Sequence, residues 1–292
     1  MKYHICLFIA VLLTVVCTMK TVAQNPSSKP YELLLENQER PMTAKSGTTY
    51  VVLVSHNIFE RNPVHIAEYS DNDVQAIKKW FLQKTIPQEN VAALTSARKE
   101  FYLRPTRENI LAMIQSVARS AGKNDSLFVL IGGIGSQVDG ETCFLADGAT
   151  LANGKHWISE TEIRDCLLES AAKKSILFML VNRLPNKAVS SDEIVRRPLP
   201  EMIVPLTDIP KHEFVHITVN SCSENGFADE STGSQNDLFL ATLLTLAKER
   251  ELSIVNDLAT LFPLAKEIVL EKTTDREGGL QVPQMRLWHS RK

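Results

Sequence analysis

The stretch Leu127–Asp147 reads LFVLIGGIGSQVDGETCFLAD, an apolar run that breaks into glycines and restarts after an Asp-Gly turn. A short continuous apolar run bounded by turn residues has the character of a strand buried on both faces of a sheet. The glycines invite comparison with a phosphate-binding loop. Such a loop needs the strand to turn directly into a helix, so that phosphate meets the helix N-terminus. Here Gly133-Ile134-Gly135 is followed by Ser136-Gln137-Val138, then by Asp139-Gly140 and a second apolar run, with no third glycine and no Gly-Lys-Ser or Gly-Lys-Thr. That pattern is a hairpin, and a hairpin presents no helix dipole. Two readings stay open: a strand end that merely permits a tight turn, or the frame around a functional position.

Outward from this strand, TYVVLVSHN (Thr49–Asn57) is another β-branched run suited to a doubly buried strand. DNDVQAIKKWFLQ (Asp71–Gln83) puts Val74, Ile77, Trp80 and Phe81 on one face of a helix, with aspartate as the expected cap. Val91–Thr95 reads as a short strand before the irregular basic insert RKEFYLRP, and a helix opens at Thr106, carries Ile110, Met113, Ile114 and Val117, and stops at Gly122. SILFMLVNR (Ser175–Arg183) and HITVNS (His216–Ser221) are further strands. A helix from Ser159 to about Glu169 precedes the first of them, and helices near 237–250 and 254–272 follow the second. Strands alternating with helices predict an α/β domain with a mostly parallel sheet and helices on both faces. In such sheets ligands and chemistry collect at the C-terminal strand ends.

At 292 residues and 44% hydrophobic side chains, the chain has material for one sizeable core or two small ones. A net charge of −2 without long single-sign blocks gives no reason to expect a nucleic-acid partner or an anionic membrane surface. The start, MKYHICLFIAVLLTVVCTMKTVAQ, has a basic residue, an apolar run from Ile5 to Val16 and the tripeptide Thr-Val-Ala before Gln24. It reads as a secretory signal peptide cleaved after Ala23, which sends the chain to the outside, the periplasm or the cell envelope, with no membrane span in the mature chain. The apolar run is short for a span, and an uncleaved anchor is the alternative. Cys17 lacks the small residue that precedes a lipidated cysteine. The expected organisation is signal 1–23, polar linker 24–47 and domain 48–292, with an exposed loop at 184–213 and a C-terminal tail at 273–292. Cleavage leaves Cys143, Cys166 and Cys222, enough for at most one disulfide and without metal-ligand spacing.

Several stretches, in order, resemble the caspase and metacaspase clan of cysteine peptidases: Asn72-Asp73 at a helix start, Thr106-Arg107-Glu108-Asn109-Ile110 at the next, Gly133-Ile134-Gly135 where the family has Gly-His-Gly, and Gln137-Val138-Asp139-Gly140-Glu141 in the hairpin. SILFMLVNR matches the strand that ends in Asp-Ala-Cys-Arg, VNSCSENG the strand after it, and GGLQVPQ (Gly278–Gln284) a late Gln-x-Pro-Gln element. The resemblance runs from about Thr49 to Gln284 and implies a three-layer caspase-like sandwich. It also implies a thiol nucleophile activated by histidine. At the matching positions this chain has Ile134 for the histidine and Asn182 for the cysteine, so neither catalytic group is retained. Leu180 stands at the aspartate that the family places two residues before its cysteine, and a leucine cannot pair a guanidinium. Asp73 and Arg183 match the remaining substrate-pocket candidates, although an exposed helix cap would equally account for Asp73.

Other groups are weaker substitutes. His216 and Cys222 lie six residues apart on one strand, about 20 Å by strand rise and too far for a dyad. His56 and His156 have no positional support, and Cys143 and Cys166 read as small core residues. Some metacaspases bind calcium, and Asp139, Glu141 and Asp147 carry suitable oxygens, but a hairpin turn explains the first two and no metal or other cofactor is expected. These readings predict an exported caspase-like pseudopeptidase that binds or scaffolds, with a peptide or protein segment in the former cleft. The alternatives are an active cysteine peptidase with a recruited thiol or shifted dyad, and a structural envelope-associated domain.

Overall fold

The run that decides the fold is the centre of the sheet. Leu127 to Ile131 are all buried in strand β3 (Ser126–Val138), which lies between β1 (Thr49–His56) and β6 (Lys174–Leu184). The computed structural model describes residues 47–57, 69–138, 141–149, 156–184, 215–221, 230–231, 235–274 and 280–289. The expected signal peptide, almost all of the linker, Asp139-Gly140, the loop beyond Leu184 and Cys222 lie outside these residues.

With β2 (Val91–Thr95), β7 (Val215–Asn220) and β10 (Gln284–His289), the strands run in the order β10-β7-β6-β3-β1-β2. All are parallel except β10, which pairs antiparallel with β7. The expected hairpin is present: β4 (Glu141–Leu145) turns back on the end of β3 and pairs with β5 (Trp157–Ser159). A further short pair, β8 (Glu230–Ser231) and β9 (Asn236–Asp237), stands apart from the sheet.

Helices α1 (Ser70–Gln83), α2 (Arg107–Ser120), α3 (Glu160–Leu168), α4 (Leu238–Glu249) and α5 (Leu258–Thr273) cover the sheet. Alternation along the strands sorts the core into two faces. Val51, Leu53, Phe128, Leu130, Ile176, Phe178, Ile217 and Val219 form one buried cluster with α1, α4 and α5. A line of rings crosses it: Phe81 of α1 to Phe128 at 4.9 Å, Phe128 to Phe178 at 5.2 Å, Phe178 to Phe239 at 6.4 Å and Phe239 to Phe262 of α5 at 5.7 Å. Such ring pairs add about 0.5–1.5 kcal/mol each beyond the area they bury. The intervening Val52, Val54, Val129 and Ile131 are buried on the other side, where α2 packs against β1 and β3.

Two helix starts follow the local signals. Thr106 caps α2 by accepting the Asn109 N–H, and Ser159 and Glu162 make a reciprocal capping box on α3. The third expectation is corrected. No aspartate caps α1, whose N-cap is Tyr69 without a side-chain bond. Asp71 instead accepts the hydroxyl of Ser55 and the amide of Asn57 at the end of β1. Asp73, only 3% exposed, accepts the Asp237 backbone N–H at 2.9 Å and the Asn236 amide at 3.0 Å. Its carboxylate therefore clasps α1 to the start of α4, which explains it better than an exposed cap.

Within the expected tail 273–292, Gln284–His289 is the edge strand β10. Its mixed polarity follows from its position, since Met285 and Leu287 pack on the core cluster while Gln284 and Arg286 alternate with them. The last helix also starts later than its apolar pattern suggests, at Leu258, because Ser253 to Asp257 forms a turn held by the Ser253 N–H to Asp257 carboxylate bond at 2.8 Å.

Replacing Asp73 leaves one buried and one half-buried donor without their acceptor, so Asp73→Ala is expected to cost about 1–3 kcal/mol. In urea denaturation the midpoint should fall at unchanged slope, and Asp73→Asn, which keeps one acceptor oxygen, should lose less.

Candidate functional site

Strands β3 and β6 pair over eleven registered residues and outrun their neighbours. β1 ends at His56, level with Gly133, and β7 ends at Asn220, level with Met179. At the projecting C-terminal end the register is Gly132↔Leu180, Gly133↔Val181, Ile134↔Asn182 and Gly135↔Arg183. The two positions that the sequence aligned with a catalytic histidine and cysteine are thus direct neighbours on adjacent parallel strands, which stand about 4.8 Å apart.

The glycines around Ile134 have a packing reason. Gly133 has φ +149°, and a Cβ there would overlap the carbonyl of His56. A Cβ at Gly135 would overlap the carbonyl of Cys143 on β4 and the side chain of Val181 on β6. The hairpin strand and the two flanking strands approach so closely that only glycine fits. Ile134 between them is 2% exposed and belongs to the core. An isoleucine there neither takes up nor releases a proton.

Two of the pocket candidates have other partners. Leu180 is buried in the main cluster with Phe178 and the helices of that face, and Asp73 is occupied by α4. Arg183 is placed only by its backbone, level with Gly135. Of the calcium candidates, Asp139 lies outside the described residues, Glu141 accepts the Thr161 N–H at 2.6 Å and Asp147 pairs with Arg104 at 2.6 Å. Among the described residues no group of three His, Cys, Asp or Glu side chains converges as a metal site.

Of the described thiols, Cys143 is fully buried, with its sulfur donating toward the Glu141 carbonyl at 3.8 Å. Cys166 sits in α3, where burial pushes its thiol above the ordinary value. A nucleophilic cysteine needs the opposite environment, one that favours thiolate. His216 is buried on β7, level with Ser175, and His156 lies just before β5, its carbonyl accepting the Ala146 N–H at 3.4 Å.

Sequence reasoning missed one cluster beside the candidate site. His56 is 3% exposed, its Nδ1 lies 2.7 Å from the Ser96 hydroxyl just beyond β2, and the charges facing it are Asp147, Arg104 and Asp71. Burial lowers its pKa, with Asp147 opposing the shift, Arg104 adding to it and Asp71 opposing it again. A strand-end histidine was visible in the sequence, but nothing local announced that Ser96, forty residues later, would meet it. A second buried cluster pairs Glu160 with Arg164 at 3.7 Å on α3. Burial raises the Glu160 pKa, and Arg286 of β10 and Arg164 pull it back.

Because the folded protein binds the His56 proton less tightly than the unfolded chain, stability is complete above the ordinary histidine pKa of about 6.5 and is lost as pH falls below it. The slope is at most about 1.4 kcal/mol per pH unit for one proton. Denaturation of wild type and His56→Asn across this range should show the pH slope reduced in the variant.

Comparison with known proteins places this architecture. The metacaspase, peptidase C14 domain model matches residues 64–153. Protein GSU0716 from Geobacter sulfurreducens superposes with a TM-score of 0.55 at 12% identity, over 84% of this chain and 95% of that one. Caspase-1 from Spodoptera frugiperda gives a TM-score of 0.47 at 15% identity, over 82% of this chain and 85% of that one. No curated protein matches the chain. The strand order and the matched domain show that the chain has a caspase/metacaspase-like fold.

Proposed function

We propose that this protein is an exported caspase-fold pseudopeptidase, which works by binding or scaffolding rather than by cleaving peptide bonds. The observation that carries the reading is the register of Ile134 with Asn182 at the projecting strand ends. Peptide hydrolysis by this route needs a thiolate and a proton-transferring imidazole. An isoleucine and an asparagine supply neither. General acid–base help alone is worth about 10²- to 10⁴-fold, and the covalent route goes with the thiol.

Leu180, buried where an acidic pocket residue would stand, argues against recognition of basic side chains. Recruitment of another thiol gains no support from Cys143 or Cys166, which are both buried. Export rests on the N-terminal sequence pattern, and the ligand class on the former cleft at the strand ends, where a peptide or protein segment would bind.

Wild type is expected to hydrolyse no Arg-, Lys- or Asp-containing peptide and to resist peptide-based thiol-directed inhibitors. The double substitution Ile134→His with Asn182→Cys should gain inhibitor labelling at position 182. Specific labelling of wild type at Cys143, Cys166 or Cys222, or of Ser96 by a fluorophosphonate, would overturn the proposal. A peptide pull-down that returned only background would favour a purely structural envelope role.

A further inference from the structure

The loop between β2 and α2 holds two aromatic rings out in solvent. Phe101 is 70% exposed and Tyr102 42%, and among the described residues they are the only exposed large hydrophobics adjacent in the chain. Apolar surface left in water is unfavourable, and the backbone here is pinned so that the rings cannot fold inward with it. The Arg98 N–H donates to the Thr95 carbonyl at 3.1 Å, the Leu103 N–H to the Glu100 carbonyl at 2.9 Å and the Arg104 N–H to the Phe101 carbonyl at 3.2 Å. From α2, the Asn109 side-chain amide donates to the Phe101 carbonyl at 2.8 Å and to the Arg104 carbonyl at 3.0 Å. Arg104 is tied to Asp147 at 2.6 Å, and the Asp147 N–H donates to the Pro105 carbonyl at 2.9 Å. Rings presented on a fixed backbone lose little conformational freedom when a partner covers them.

The loop lies along the edge of the sheet where Ile134 and Asn182 project. β2 runs parallel to β1 and ends at Thr95, level with Ser55, so the chain leaves it at the C-terminal strand edge. Ser96 there meets His56, and β2 stands two strand spacings, about 10 Å, from β3. Beside the rings are three exposed charges, Arg98, Lys99 and Glu100. The other cations of the stretch are engaged, Arg104 with Asp147 and Arg107 with Glu162, while among the described residues neither Arg98 nor Lys99 makes an ion pair. Two unpaired cations against one carboxylate leave the patch positive. Its complement is a carboxylate next to an apolar side chain, which a peptide supplies on neighbouring residues. A neutral glycan would use the rings and leave the cations idle, and a basic peptide would be repelled.

We propose that Phe101 and Tyr102, flanked by Arg98 and Lys99, are the anchoring rim for an acidic peptide segment of a partner protein, one whose Asp or Glu side chains neighbour an aromatic or aliphatic residue. The inference rests on the binding role proposed above and names its ligand class. The rings supply contact area, and the two cations select the sign of the partner and steer its approach. The buried Leu180 at the strand ends agrees with that sign, since it offers a basic side chain no counter-charge.

The test is selection of a randomised phage-displayed peptide library on the full chain, followed by Kd measurement for the selected peptides by fluorescence anisotropy. Selected peptides should be rich in Asp or Glu beside Phe, Tyr, Trp or Leu. Phe101→Ala with Tyr102→Ala is expected to weaken their binding about tenfold or more, and Arg98→Glu with Lys99→Glu to weaken it similarly and flatten its salt dependence. All four side chains are exposed, so the urea midpoint should stay where it is and a loss of binding reports the surface itself. Affinity unchanged in both variants, or selected peptides that are basic or uncharged, would overturn this inference and leave the binding role standing. A library that yields no binder would overturn both. Cleavage of selected acidic peptides that still depends on Phe101 and Tyr102 would support this inference and overturn only the pseudopeptidase reading.

Discussion

The pairing of β3 with β6 is the constraint on which the rest depends. Eleven residues in continuous parallel register, from Ser126↔Lys174 to Ser136↔Leu184, fix the centre of the sheet. A one-residue slip in that ladder would exchange the faces of Phe128, Leu130, Ile176 and Phe178 with those of Val129, Ile131, Leu177 and Met179. The ring line from Phe81 to Phe262 would then lose its middle members. Because this ladder is longer than those beside it, it also projects Ile134 and Asn182 beyond β1 and β7 and sets them side by side. Core packing and site geometry are one register, read at two heights.

The same economy explains the glycines. In a peptidase of this fold they would be read as the surroundings of a catalytic histidine. In this chain Gly133 and Gly135 are required because β1, β4 and β6 close on the end of β3 more tightly than any Cβ allows. That packing demand acts whether or not position 134 carries chemistry. A caspase-like frame can therefore surround Ile134, held by steric need, while His56 with Ser96 and Arg104 with Asp147 make the polar contacts of neighbouring elements.

What was legible in the sequence was what short-range physics dictates. The β-branched runs at Thr49–Asn57 and Leu127–Ile131 read as buried strands because they are short, continuously apolar and bounded by polar or glycine residues. Thr106 and Ser159 read as helix starts because a cap spans only three residues. Asp73 was half legible: its place in the first turn of a helix was visible, but its partners are Asn236 and Asp237, at the other end of the domain. β10 escaped because an edge strand with one partner shows only a partial apolar alternation, and Gln284 and Arg286 make it look like a tail.

The sequence by itself determined the order and type of the central elements, the hairpin after Gly135, and the presence of isoleucine at 134 and asparagine at 182, since these are matters of residue identity and local pattern. Only the tertiary structure decided that those two positions are level on adjacent strands, that Asp73 clasps α1 to α4, that Leu180 belongs to the core, and that the last strand closes the sheet. The physical reason is that register, burial and hydrogen-bond partnership are properties of pairs. Their second member lies forty to more than one hundred and sixty residues away in these cases, where no local preference of the first can specify it.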